Sequence, residues 1–172
     1  IKPDAVFLPV RKQFYEDISA QVMDILHSHA DSEETFEKIS IDEAFLEISQ
    51  NCSGNYEKAK NIGMQIKRDV LEHEKLTCSV GIGPNKLIAK MASSFKKPDG
   101  ITLIKPEDVT GFLSPMPVKK LWGIGKVTEE KLQQMDIETV GQLAAYDTQE
   151  LIAEFGKNRG IWLKKAASGI DE

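Results

Sequence analysis

Two adjacent carboxylates interrupt a strand-like apolar run at Ser40-Ile41-Asp42-Glu43-Ala44-Phe45-Leu46-Glu47-Ile48, and this interruption constrains the fold more than any other stretch of the chain. Successive strand residues point to opposite faces, so Asp42 and Glu43 can share a ligand only where the backbone turns or bulges between them. A hairpin is therefore predicted, with strands over residues 36–41 and 44–48 meeting at the acid pair. Neighbouring carboxylates repel when unpaired, and a divalent cation relieves the repulsion. Oxygen ligands suit Mg²⁺, which dehydrates reluctantly and is commonly held by one or two carboxylates plus substrate phosphates. The pair thus points to metal-assisted phosphoryl transfer. The bland alternative is a surface turn whose acids are simply solvated, the commoner fate of an isolated Asp-Glu pair.

The pattern around the hairpin is α+β. Residues 14–28 carry Ile18, Val22, Ile25 and Leu26 at helical spacing, and residues 56–74 repeat it with Ile62, Ile66, Val70 and Leu71. Residues 76–82 read as a strand and residues 85–95 as a third helix. That helix is opened by Gly83-Pro84, since glycine ends a strand freely and proline presets a helix start. Residues 100–104 form a last strand. The alternation predicts helices packed on one face of a mainly antiparallel, ferredoxin-like sheet. After Pro106 the texture changes: Pro115 and Pro117 punctuate a linker, and short helices are predicted over residues 118–121, 128–135, 140–145, 148–155 and 158–168. A domain boundary is expected near residues 104–110.

Charge divides along the same line. Residues 1–57 hold 12 acids and 4 Lys or Arg, a balance of −8, whereas residues 58–172 hold 15 acids and 18 bases, a balance of +3. A phosphate backbone responds to local potential screened over ~8–10 Å, not to overall pI, so the second half is where nucleic acid is expected. Lys86, Lys90, Lys96 and Lys97 form one basic cluster and Lys157, Arg159, Lys164 and Lys165 another. Lys90 is a candidate DNA-backbone contact, with plain solvent exposure the alternative. Cys52 and Cys78 lie in unlike settings, which argues against a disulfide framework and for a reduced, cytoplasmic location. No apolar run approaches the ~20 residues of a membrane span, and no signal peptide is visible. His27 and His29 lack companions at zinc-ligand spacing.

Leu121-Trp122-Gly123-Ile124-Gly125-Lys126 permits a tight turn between helices that leaves backbone N–H groups free at the next helix start. Those donors and the helix dipole suit a phosphate oxygen, and Lys126 adds charge. Such a contact reads no bases. Gly123, Ile124, Gly125 and Lys126 are therefore candidate DNA-binding residues, the alternative being an ordinary helix–helix turn with a capping glycine. Trp122 and Trp162 are expected in the core of this helical part.

Three stretches together resemble the Y-family DNA polymerases, the lesion-bypass group. SIDEAFLEIS resembles the family's palm motif, CSVGIGPNKLIAKMASSFKKPDGI its second palm signature, and LWGIGKVTEEKLQQMDI the helix-hairpin-helix of its thumb. Their order and spacing match as well. With PDAVFLPVRKQFYEDIS the similarity covers nearly the whole chain. One departure is Asp136, where such hairpin modules commonly carry glycine.

The resemblance implies an incomplete ferredoxin-like palm over residues 1–104, with the end of the fingers at its start, and a small all-α thumb over residues 105–172. It also implies a template-directed polymerase acting on primer-template DNA and deoxynucleoside triphosphates, with two Mg²⁺ ions in the complete enzyme and Asp42 and Glu43 as catalytic metal ligands. Lys97 matches a lysine that contacts the incoming triphosphate. A sliding clamp is implied as a partner through regions outside this chain. The family's further catalytic aspartate lies on a strand near the start of the full enzyme. That strand, the fingers and the C-terminal DNA-binding domain are expected to lie outside residues 1–172, so the chain alone is expected not to polymerise. Two other readings stay open, a palm-type nucleotidyl cyclase and a non-enzymatic helix-hairpin-helix module. Neither accounts for all three motifs.

Overall fold

The computed structural model describes residues 4–171; Pro3, which opens one of the quoted stretches, and the two chain ends lie outside the described residues. Helix α1 (Lys12–His27) leads to strands β1 (Phe36–Lys38) and β2 (Ala44–Leu46), then α2 (Tyr56–Glu74), β3 (Val80–Ile82), α3 (Lys86–Phe95) and β4 (Ile101–Leu103). Short helices α4 (Val109–Leu113), α5 (Lys126–Gln134), α6 (Val140–Ala145), α7 (Thr148–Phe155) and α8 (Lys157–Ala167) complete the chain.

Local chemistry sets many of these boundaries. Asn55 caps α2 by accepting from the amides of Glu57 and Lys58 at 2.9 and 3.0 Å, and Asn85 caps α3 through the Ile88 amide at 3.0 Å. Thr139 and Gln142 form a reciprocal capping box on α6, and Asp147 caps α7. Asp136 stands at φ 58°, and beyond it the Ile137 amide closes on Leu132 O at 2.9 Å. Aspartate tolerates the left-handed region, so the turn closes here without glycine.

The α+β layer followed by helices is as expected, but the strand pairing differs. β1 and β2 form the predicted antiparallel hairpin, with Glu37 opposite Phe45, whereas β3 and β4 run parallel, with Gly81 opposite Thr102. Parallel neighbours require a crossover, and α3 supplies it. The expected strand over residues 76–82 pairs only from Val80, because Leu76 is half-exposed and the Cys78 carbonyl is taken by Lys67 at 2.6 Å. Among the described residues the two strand pairs are not joined to each other. Clefts of about 490 and 620 Å³ open between β2 and β3, both lined by Phe45, Leu46 and Ile82.

Two apolar cores result. The smaller gathers Cys52, Ala59 and Ile82 with Tyr56, Val80 and Ile101. The larger runs from Leu87, Ile88, Met91 and Ala92 of α3 through Ile104, Val109 and Leu113 to Leu132, Leu143, Leu151 and Leu163. Packing therefore continues across residues 104–110, where the sequence suggested a boundary. The C-terminal residues fasten the same junction: Asp171 Oδ2 accepts from the Leu87 amide at 2.9 Å, and Asn85 Nδ2 donates to Gly169 O at 2.7 Å. α4 was not expected; five residues containing Gly111 give too short a period to stand out from a linker.

The turn after α1 is tied to α2 by His29 Nε2 and Asp69 Oδ2 at 2.8 Å. Burial pushes the Asp69 carboxyl up, but hydrogen bonds from Gln65 and His29 and the charges of His29 and His73 outweigh it and hold the group below its ordinary value. A depressed carboxyl contributes stability above its unfolded value of about 3.9 and loses it as pH falls through the lower folded value. Urea unfolding of the wild type and Asp69→Asn is expected to show a stability gap that closes as the pH falls below about 5.

Candidate active site

The acid pair occupies the turn of the β1–β2 hairpin. The amides of Ile39 and Ser40 both donate to Glu43 O, at 2.9 and 3.2 Å, which folds residues 39–43 into a tight loop. Ser40 Oγ donates to Asp42 Oδ1 at 2.8 Å, and the buried Ser19 hydroxyl of α1 donates to the Ile41 carbonyl. The turn is therefore braced both by its own side chain and by a neighbouring helix. Ser19 carried no signal in the sequence beyond being a polar residue beside the apolar stripe of α1.

Asp42 is exposed and Glu43 half-buried, and both line the 490 Å³ cleft between the hairpin and the β3–α3 unit. Lys97 and Lys90 line it too. Lys97 is exposed and makes no hydrogen bond or ion pair among the described residues, so its ammonium is available to an anion. Lys90 is not simply solvated. Its half-buried ammonium pairs with Glu43 Oε1, so it faces the acid cleft and not open solvent. α3 explains this: Leu87, Ile88 and Met91 turn inward to the core, and Lys90 projects from the helix face toward the hairpin. Among the described residues no three His, Cys, Asp or Glu side chains converge as a metal site. Asp42 and Glu43 suit a divalent cation in donor type, and two carboxylates would supply only part of a coordination shell.

The second candidate element is the turn between a 3₁₀ turn at Val118–Lys120 and α5. Gly123 has φ 91°, and a Cβ there would lie 2.6 Å from Trp162 Cη2, so both conformation and packing require glycine. Gly125 is different: its φ is −91°, and a Cβ there would meet nothing within 4 Å. It precedes α5 as an N-cap with no side-chain hydrogen bond, leaving the first amides of a nine-residue helix open to an outside acceptor. Ile124 is half-buried against the larger core, and Lys126 is exposed with a loose contact to Glu130 at 3.8 Å.

Several sequence assignments shift. Trp122, expected in the core, is 41 % exposed and meets the Phe45 ring edge-on at 6.0 Å, so it lines the acid cleft. Trp162 packs on the core beneath the Arg159 guanidinium, which lies 4.2 Å from its ring centroid. Arg159 donates to Gly123 O at 2.6 Å, and Lys164 donates to Ala144 O and Tyr146 O, both at 2.6 Å. Two members of the second basic cluster therefore hold backbone of the helical part. In the first cluster, Lys86 pairs with Glu37.

Comparison with known proteins identifies the class. Residues 1–94 match the family model described as the impB/mucB/samB family, and residues 106–137 match its helix-hairpin-helix motif. The chain belongs to the impB/mucB/samB family, and with it to the Y-family DNA polymerases. It is 61 % identical over 175 residues to DNA polymerase IV of Methanosarcina acetivorans, a match covering all of this chain and 48 % of the relative. Against DNA polymerase IV of Nitrosopumilus maritimus it is 42 % identical, over 99 % of this chain and 46 % of the relative. Among solved structures, DinB from Sulfolobus solfataricus superposes with a TM-score of 0.88 at 34 % identity, covering 99 % of this chain and 50 % of that one. An insertion ternary complex of Dbh DNA polymerase gives 0.89 at 34 % identity, over 99 % and 48 %. The chain spans about half the length of the curated relatives it matches.

Proposed function

We propose that this chain is the palm and thumb of a template-directed, lesion-bypass DNA polymerase, residues 1–104 serving as palm with the end of the fingers and residues 105–172 as thumb. The observation that carries the proposal is a single cleft bordered by Asp42, Glu43 and Lys97. It sets two candidate metal ligands and one candidate phosphate ligand around the same opening. Asp42 and Glu43 would hold Mg²⁺, two ions in the complete enzyme. Bound metal would favour attack by the primer 3′-hydroxyl and stabilise the departing pyrophosphate. Lys97 would neutralise charge on the β and γ phosphates of a deoxynucleoside triphosphate. Ser19 and Ser40 hold the acid turn in place, and Lys90 balances Glu43.

The slot between β2 and β3 is where residues from the rest of the polymerase would complete the sheet and add a further carboxylate. This supports the expectation that the 172-residue chain alone does not extend a primer. A sliding-clamp partner rests on the family resemblance. A cytoplasmic location accords with two unpaired thiols and with no membrane-crossing helix among the described residues.

Primer extension by the full-length polymerase that contains this chain tests the reading. Incorporation should require both template and primer; nucleotide turnover without either would favour the cyclase alternative. The duplex would lie against Gly123–Lys126. Lys126→Glu is expected to weaken binding by about 3- to 10-fold on unrelated duplexes alike, and to flatten the salt dependence by about one unit or more of log–log slope. Fluorescence anisotropy across a salt series measures both; a sequence-selective loss would count against the assignment.

A further inference from the structure

Lys67, on α2, turns its ammonium inward to the meeting point of two loops. Nζ donates to Cys78 O at 2.6 Å and to Asp99 O at 2.8 Å and pairs with the Asp99 carboxylate, with 18 % of the side chain exposed. An ammonium has three protons, so all of its donors are used. One loop enters β3. The other is the turn between α3 and β4, where Asp99 sits at φ 54°.

That second turn carries Lys97. Lys97, Pro98 and Asp99 are all exposed and all border the acid cleft, which Cys78 lines beside them. The hydrogen bonds that anchor the turn beyond Asp99 are those of Gly100, whose carbonyl accepts from the Val80 amide at 2.9 Å and whose amide donates to Ser79 Oγ at 3.3 Å. A lysine side chain is long and flexible, so where its ammonium spends its time depends on where its Cα is held. Charge-assisted bonds to two carbonyls and a carboxylate are the strong kind.

We infer that Lys67 is a positioning residue for Lys97: by fastening Asp99 to the loop entering β3, it fixes where the Lys97 ammonium meets the nucleotide phosphates. The inference rests on the nucleotide role proposed for Lys97. A brace serving stability alone would lower the melting temperature and leave the nucleotide KM unchanged. A positioning residue raises KM, and does so only while Lys97 is there to be positioned.

The test is a double-mutant cycle in the full-length polymerase that contains this chain, reading nucleotide KM in primer extension and primer-template affinity separately. Lys67→Met is expected to raise KM by roughly tenfold, since small misplacements of a positioned group are costly. Primer-template affinity should stay the same. In a Lys97→Met background, Lys67→Met should add less than about twofold, because contributions that act through one group do not add. An unchanged KM in a folded Lys67→Met enzyme, or penalties that multiply, would overturn the inference. If Lys97→Met itself leaves KM unchanged, the nucleotide role of Lys97 falls, which is a different failure. Asp99→Asn carries the test should Lys67→Met not fold. Removing an acid beside a triphosphate would by charge alone lower KM, whereas weakening the tie is expected to raise it by about two- to threefold. A fall in KM for Asp99→Asn would sink the proposal.

Discussion

Replacing Asp42 or Glu43 by alanine in the full-length polymerase is expected to cut primer extension by about 10³-fold or more, roughly 4 kcal/mol of transition-state stabilisation, while primer-template affinity changes by less than about twofold. In the proposed reading the carboxylates act on the metals and not on the duplex, so chemistry and binding should separate. The two variants should differ in stability. Asp42 is exposed and bonded to Ser40, so its loss disturbs little, but Glu43→Ala leaves the half-buried Lys90 ammonium without its partner. Glu43→Gln keeps an acceptor for Lys90 and removes the metal-binding charge, and it isolates the catalytic effect. The 172-residue chain alone is expected to give no extension with Mg²⁺, as its described cleft offers a partial ligand set. Incorporation by the chain alone, or loss of duplex binding in the alanine variants, would show that the essential groups lie elsewhere.

The second large effect is expected at Gly160. α8 crosses α7 so closely there that an added Cβ would sit 2.6 Å from the Ile152 amide nitrogen and 2.7 Å from the Leu151 carbonyl carbon. These are backbone atoms, which cannot swing aside like a side-chain tip. Gly160→Val should cost about 3 kcal/mol despite the gain in helix propensity, lowering the melting temperature by roughly 6–12 °C and weakening duplex binding as the thumb loosens. Gly111 in α4 is the control, since a Cβ there meets nothing within 4 Å. Gly111→Ala should be neutral or stabilising by up to about 1 kcal/mol. Thermal unfolding of the two variants beside the wild type measures the contrast.

The acid turn was legible in the sequence because a strand can bring neighbouring carboxylates to one ligand only by turning, and that constraint is local. The helices from α5 to α8 were legible too, from their apolar spacing and turn residues. Asp136 was visible as a departure, but that an aspartate closes the turn at φ 58° became clear only with the backbone conformation. The contacts of Lys90 with Glu43 and of Trp122 with Phe45 were illegible for one reason. Each residue sits on a helix or turn whose local pattern is silent about the element opposite, and in both cases that element is the β1–β2 hairpin.

By itself, then, the sequence determined most of the elements, the turn that carries Asp42 and Glu43, and the family that shares its motifs, because each depends on residues adjacent along the chain. Only the tertiary structure decided that β3 and β4 pair in parallel around α3, that one core crosses residues 104–110, and that Lys67 ties Cys78 to Asp99. The hydrogen bonds among them join residues 11 to 32 positions apart. Their free energy comes from burial and from hydrogen bonds between distant groups, and no spacing along the chain encodes which distant group each will find.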